Sequence, residues 1–216
     1  MFAHGPYYDA GKKDLLQAIQ TYSFDWIAGF FVGWENLHLR GISASRLAKQ
    51  IDDVHGMLSE VSGYNTAVPI GHIDTWDEWV KVENRAVIEA CDFVSTDVDY
   101  YWDENFNTTA NSIDDACSSF WGSVQSVQHT VNSVKPGTLA WIAAHLWPET
   151  GPTYHLAVPS VANAQQYWKQ VACSSFKSTQ AFWDCLYDND EEWDGGLRPA
   201  YGVLDHNRNP SYDLSC

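Results

Sequence analysis

Short apolar runs alternate with amphipathic segments along almost the whole chain, and this alternation constrains the fold more than any other feature. Extended runs read at residues 25–32 (DWIAGFFV), 67–73, 91–101, 138–144 and 179–186. Between them, helical spacing appears at residues 12–21, with Leu15, Leu16 and Ile19 inward, and in a helix capped by Ser43 that turns Ala44, Leu47, Ala48, Ile51, Val54 and Leu58 to one side. Further helices read over residues 84–90 and from Ser160 to Val171. Another starts at the capping-box-like pair Ser112 and Asp115, with Ile113, Ala116, Phe120, Val124, Val127 and Val131 inward. Residues 1–9 lack a helical period, and Phe2, Tyr7 and Tyr8 beside Gly5-Pro6 read as the remnant of a strand and its loop. Strand, helix, strand, helix without internal repeats predicts an α/β chain, either a parallel βα barrel or an open parallel sheet.

The 216 residues, 45% of them hydrophobic, suffice for one domain over 1–216. A (β/α)8 barrel takes about 250 residues, so the chain is short for one. The net charge of −16, from 12 Lys+Arg against 28 Asp+Glu, would repel nucleic acid or an anionic membrane, and neutral partners fit better. No run reaches membrane-spanning length. The N-terminus shows no signal-peptide pattern of a charged region followed by an apolar one. Eleven Trp and 11 Tyr provide aromatic faces of the kind that stack on sugars, besides filling a core. Cys91, Cys117, Cys173, Cys185 and Cys216 form no C-x-x-C pair; up to two disulfides and one thiol is the reading for an oxidising compartment. Asn107-Thr108-Thr109 is a glycosylation sequon.

In α/β barrels the chemistry gathers at strand ends. The run at 25–32 leads into Gly33-Trp34-Glu35-Asn36, the run at 67–73 into His72-Ile73-Asp74-Thr75-Trp76, and the run at 138–144 into His145, Trp147 and Glu149. His72 and Asp74 alternate to the same face of an extended segment. Glu35, His72, Asp74, Asp99 and His145 carry metal-ligand chemistry but no local ligand spacing, so no metal and no cofactor are expected. There is no G-x-S-x-G elbow, no phosphate-cradling glycine loop, and Cys117 falls inside a helix, which sets aside nucleophile-triad hydrolysis.

Several stretches resemble fungal β-1,3-glucanases of glycoside hydrolase family 17. FDWIAGFFVGWENLHLRG is similar to the family segment holding its acid/base glutamate, and Glu35 matches that residue, with Trp34 replacing a small polar one. GHIDTW at residues 71–76 resembles GHVDTW. CDFVSTDVDYY resembles CDFVGTDVYPYF, with Asp99 where the family has a tyrosine and Tyr100 where it has proline. WIAAHLWP at residues 141–148 resembles W-I-T-E-T-G-W-P: Trp141, Ile142, Trp147 and Pro148 match, and Ala144 stands at the nucleophilic glutamate. ETGPTYHLAVP and the ending YDLSC resemble VSGPTYGQAVP and the family's own YDLSC.

What the resemblance implies is an incomplete (β/α)8-type barrel, strands four to eight of the family barrel, whose open sheet edges a homo-oligomer would cover. It implies a protein that recognises β-1,3-glucan through Trp34, His72, Asp74, Trp76, Tyr100, Tyr101, His145 and Trp147, extracellular or at a cell wall. A retaining glycosidase needs a proton-donating and an attacking carboxyl about 5–5.5 Å apart. By the resemblance Glu35 is the first, and Ala144 removes the second. Two alternatives stand beside this reading: an altered glucanase that pairs Glu35 with Asp99 or Glu149, and a non-catalytic scaffold that binds another chain through an open sheet edge.

Overall fold

The computed structural model describes residues 6–64, 68–102, 111–144, 146–188, 199–205 and 207–216. Four strands form one sheet in the order β1 (Phe30–Trp34), β2 (Ile70–Thr75), β3 (Phe93–Asp97) and β4 (Leu139–Ala144), with β1 and β2 parallel. Helices separate them: α1 (Pro6–Tyr22) precedes β1, α2 (Ala44–Ser59) follows it, α3 (Trp76–Trp79) and α4 (Arg85–Ala90) lie between β2 and β3, and α5 (Ala116–Val134) precedes β4. This is the alternation of a parallel α/β fold. The chain divides into two compact units, one of residues 1–96 and 126–141, the other of 97–125 and 142–216.

In the first unit, α2 carries its apolar residues at helical spacing, and Leu47, Ile51, Val54 and Leu58 are fully buried. They join Val32, Ile70, Val87, Ile88, Cys91 and Val94 in one core. Ser43 occupies the N-cap with extended backbone, but its hydroxyl meets Ser45 Oγ at 3.3 Å and caps no N–H. Helix α1 docks through Tyr8, whose hydroxyl is shared between Gln50 O (2.8 Å) and Asp53 Oδ2 (2.7 Å), while Lys12 also bonds Asp53. Lys12 and Tyr8 together hold the Asp53 carboxyl below its usual range.

Around α1 and β1 two boundaries differ from the sequence expectation. Residues 6–9, read as part of a strand remnant, form the first turn of α1, where Pro6 is tolerated because the first helical N–H needs no partner; Met1 to Gly5 lie outside the described residues. The apolar run from Asp25 does not become strand until Phe30. Ser23, at φ +65°, closes α1 with its N–H on Ile19 O (2.8 Å), and Ile27 N–H bonds Phe24 O (3.0 Å), which spends residues 23–27 on a turn.

Gly71 lets β2 and β3 approach. A Cβ there would stand 2.2 Å from Phe93 O, and Phe93 stacks on Trp141 at 3.8 Å between ring centroids. At the far end of α5, Gln128 Nε2 donates to Thr138 O (3.0 Å) and its Oε1 accepts from Ala140 N (3.1 Å), so one side chain splices α5 to the start of β4. Lys135 Nζ donates to Cys91 O (2.6 Å) and Glu89 O (3.1 Å), closing the end of α4.

The second unit is an aromatic core with a covalent tie. Tyr100, Tyr101, Phe120, Trp147 and Tyr167 are fully buried. Ser160 accepts from Asn163 N (3.1 Å) at the start of α6 (Val161–Tyr167), which passes through a π turn (Trp168–Ala172) into α7 (Cys173–Ser178); the helix read to Val171 thus runs on to Ser178. Cys173 is bonded to Cys216, while Cys91, Cys117 and Cys185 stay outside disulfides. The strand expected at residues 179–186 reduces to one parallel bridge, Ile142 with Ala181, held by Ile142 N–H to Gln180 O and Phe182 N–H to Ile142 O, both 3.0 Å. Phe182 and Leu186 are 43% and 53% exposed, so no second buried face draws this stretch into a longer ladder.

Candidate active site

The first unit builds its site around a bulge at the end of β1. Phe31 pairs with Gly71 and Trp34 with Ile73, so three steps on β1 oppose two on β2. Gly33 takes φ +84° within the bulge, a conformation suited to glycine. Glu35 follows at φ +48°, which a residue with a Cβ adopts only when its surroundings enforce it.

Those surroundings are visible. Glu35 N–H donates to Ile73 O (2.8 Å), and Leu39 N–H bonds Glu35 O (2.9 Å). Asn36 is buried, and its Oδ1 accepts from Trp34 N (3.0 Å). Asp74 Oδ2 accepts from Leu37 N (2.9 Å), and Asp74 Oδ1 accepts from His38 N (3.1 Å) and Thr75 N (3.0 Å). The bulge and the turn behind it thus leave Glu35 half-exposed at the strand end and Trp34 beside it 55% exposed.

His72 and Asp74 are both fully buried. His72 Nε2 lies 2.8 Å from Asp74 Oδ2 and Nδ1 lies 2.7 Å from Val32 O. The two side chains face the protein's own backbone, not a ligand edge. Trp76 is half-buried and packs against the core. The indole N–H of Trp79 is shared between Asp74 O (3.1 Å) and Ser95 O (3.0 Å), and its ring meets that of His72 edge-on at 5.7 Å.

The second unit holds the other sequence-predicted residues. Tyr100, Tyr101 and Trp147 are fully buried, their rings 5.9–6.4 Å from one another across the Trp147 contacts. Trp147 donates its N–H to Val158 O (3.1 Å), and Tyr101 donates to Pro152 O. These three aromatics fill a core and present no open face to a sugar in this conformation. Burial and, second, the Asp99 carboxylate push the Tyr101 hydroxyl up to about 12.

Glu149 and Asp188 line a hollow of about 280 Å³ with Thr150, Tyr187, Asp205 and Ser211. Burial first, then Asp188, raises the Glu149 carboxyl above the usual range, opposed by a hydrogen bond with Ser211. His145 and the sequon Asn107-Thr108-Thr109 lie outside the described residues. Among the described residues no group of three or more His, Cys, Asp or Glu is placed to hold a metal ion, and no helix is long and apolar enough to cross a membrane.

Sequence reasoning singled out Glu35 but not Asn36, nor the backbone N–H groups of Leu37 and His38 that complete its support. The signal available was the G-W-E-N spelling itself, with a glycine and an asparagine flanking the glutamate as turn residues do. It names a turn without revealing which buried carboxylate holds it.

A parallel α/β sheet whose first strand leads into a half-exposed glutamate beside an exposed tryptophan has the arrangement in which α/β barrels keep their sites. Over residues 4–202 the chain matches the BtgE/BtgC glycoside hydrolase domain, and it belongs to that family. It is 36% identical over 201 residues to a probable glucan endo-1,3-β-glucosidase of Aspergillus clavatus, covering 88% of this chain and 42% of that protein. The chain spans about half the length of the curated relatives it matches first. The crystal structure of a glycoside hydrolase family 17 β-1,3-glucanosyltransferase from Rhizomucor miehei superposes with a TM-score of 0.81 at 20% identity, over 99% of this chain and 74% of that one. An active-site mutant of the Rhizomucor miehei enzyme in complex with laminaritriose gives 0.79 at 21% identity, over 97% and 72%. These likenesses show the fold, an α/β barrel of which this chain carries part.

Proposed function

We propose that this chain is a β-1,3-glucan-recognising member of its family, with Glu35 as the proton-donating carboxyl and Trp34 as the aromatic face beside it. The family match over residues 4–202 carries the reading, and the shaped turn that fixes Glu35 at a strand end supports it. The two units are read as parts of one partial barrel domain. An exposed indole next to a carboxyl is the pairing a neutral sugar uses: the ring covers its apolar face and the acid reaches its glycosidic oxygen. The net charge of −16 suits such a neutral ligand.

By the resemblance of WIAAHLWP to W-I-T-E-T-G-W-P, Ala144 stands at the attacking glutamate, so we read the chain as one that binds glucan and lacks the covalent route. A second reading is hydrolysis by Glu35 with Asp99 or Glu149 as the other carboxyl; that partner must be ionised, and the burial that raises the Glu149 carboxyl works against Glu149 in the role. The Cys173–Cys216 disulfide agrees with an extracellular or cell-wall setting.

Release of reducing ends from a soluble β-1,3-glucan, by the parent and by Glu35→Gln, decides between them. Binding without release by either supports glucan recognition alone. Release by the parent that disappears in Glu35→Gln establishes a working acid and makes Glu149→Gln and Asp99→Asn the next variants. Neither binding nor release overturns both.

A further inference from the structure

The ring of His72 has an acceptor at each end. Nδ1 faces the carbonyl of Val32 at 2.7 Å, and Nε2 faces the carboxylate of Asp74 at 2.8 Å. A backbone carbonyl cannot donate, and the same carboxylate already accepts from the N–H groups of Leu37, His38 and Thr75. Against an ionised Asp74, a neutral imidazole with its one N–H would leave one of these short contacts as two acceptors face to face; a neutral ring fits only if Asp74 itself carries a proton on Oδ2. Three backbone N–H donors aimed at the Asp74 carboxyl favour its charged form, and a fully buried carboxylate with an imidazole at this distance calls for the imidazolium.

The position of this pair gives it a task. Val32 lies in the β1 bulge ahead of Glu35, and Leu37 and His38 lie just behind Glu35. The unit Val32 O, His72, Asp74, Leu37 N and His38 N therefore bridges the chain on both sides of Glu35 and holds the arc between. Glu35 itself sits at φ +48°, a conformation unfavourable for a residue with a Cβ that persists only where neighbouring contacts over-determine it. The surroundings of the pair are closed: the Trp79 ring lies edge-on to His72, and the thiol of Cys91, pushed up by burial, accepts from the backbone N–H of His72.

We propose that Asp74 and a doubly protonated His72 are positioning residues for Glu35, clamping the bulge in front of it and the turn behind it. The assignment rests on the reading of Glu35 as the proton-donating carboxyl, since that role gives the clamp its purpose.

The test reads Glu35 directly in the intact chain by NMR. In 15N-histidine-labelled protein, long-range correlations of the His72 ring should show both nitrogens protonated, and in 13C-labelled protein the one-bond Cα–Hα coupling of Glu35 should report the positive φ. In Asp74→Asn, amide exchange at Leu37 and His38 should quicken about tenfold or more, the loss expected for hydrogen bonds to a charged acceptor. The Glu35 coupling should move toward that of a freely sampling residue, while the control His55→Gln leaves both unchanged.

If Asp74→Asn does not fold, His72→Gln supplies the same readouts with one ring donor removed, and the ring spectrum of the parent stands by itself. A single neutral tautomer at His72, or a folded Asp74→Asn with unchanged Glu35 coupling and exchange, overturns the assignment. None of these readouts involves glucan. A chain that neither binds nor cleaves glucan therefore sinks the proposed function and leaves the clamp measured.

Discussion

Gly71 and the carbonyl of Phe93 approach so closely that a Cβ on residue 71 would stand 2.2 Å from the oxygen and 2.9 Å from the ring. No real Cβ tolerates the first distance, so β2 and β3 can hold this separation only with glycine at 71. The Phe93 ring, stacked on Trp141 at 3.8 Å and 23°, has no room to withdraw. Gly71→Ala is expected to destabilise the chain by about 3 kcal/mol or to prevent folding, from overpacking against backbone. Gly56→Ala on the exposed side of α2, where nothing lies within 4 Å, should instead stabilise by about 0.5–1 kcal/mol through helix propensity. Urea denaturation of the two variants checks both signs, and equal effects would contradict the close approach.

The left-handed backbone of Glu35 makes a prediction of opposite sign for stability and function. Glu35→Gly removes the Cβ from φ +48° and should offset the loss of side-chain contacts, leaving stability within about 1 kcal/mol of the parent. Glu35→Ala keeps the Cβ and should be the less stable of the two. If Glu35 is the acid, both lose any glucan turnover while glucan binding through Trp34 persists. Thermal melts beside reducing-end assays separate the effects.

Glu149 should act on stability through its proton. Burial raises its folded-state carboxyl above the unfolded value, so the folded state prefers the protonated form. The stability it contributes is full below the unfolded carboxyl range and falls as pH rises through the raised folded value. Glu149→Gln should therefore stabilise the fold slightly at neutral pH, by well under 1 kcal/mol after solvent screening, and lose that advantage near pH 4. A Gln variant that melts lower at pH 7 than the parent would contradict the burial argument.

Asp213 works in the other direction. Lys169 first, then the backbone and hydroxyl of Ser215, hold its carboxyl at about 2. Its contribution is present above the unfolded carboxyl value and disappears as pH falls toward 2. The same contacts pin the chain end, since Lys169 Nζ reaches Ser215 O at 2.7 Å beside the Cys173–Cys216 bond. Closing a loop of 43 residues, that bond should contribute about 2–4 kcal/mol. Cys216→Ser, compared with the oxidised parent by urea denaturation, should show a loss of that size. A loss below about 1 kcal/mol would mean the Lys169 contacts already hold the end.

Much of this protein was legible in local pattern. The apolar stripe of α2, the capping oxygen of Ser160, the run that becomes β4 and the G-W-E-N turn follow from spacing of side chains along one segment, and each appears where helical or extended periodicity puts it. Family-like stretches located Glu35 at a strand end by the same local reading. Where local pattern misled, a neighbour in space was missing from it. The stretch at 179–186 has strand-like residues but a single bridge partner in Ile142, and residues 6–9 follow α1 because Tyr8 finds Gln50 and Asp53 some forty residues away.

The sequence by itself determined most of the helical and extended segments and the glutamate that follows the first strand. Only the tertiary structure decided where His72, Asp74, Tyr100, Tyr101 and Trp147 sit, all five of them fully buried. Alternation placed His72 and Asp74 on one face of β2, and the family resemblance named these aromatics as sugar-binding, but burial is a property of what packs on top. Val32, Leu37 and His38 reach the His72–Asp74 pair from about 40 residues away in the chain, and their backbone groups, which every residue carries, leave no mark in the sequence.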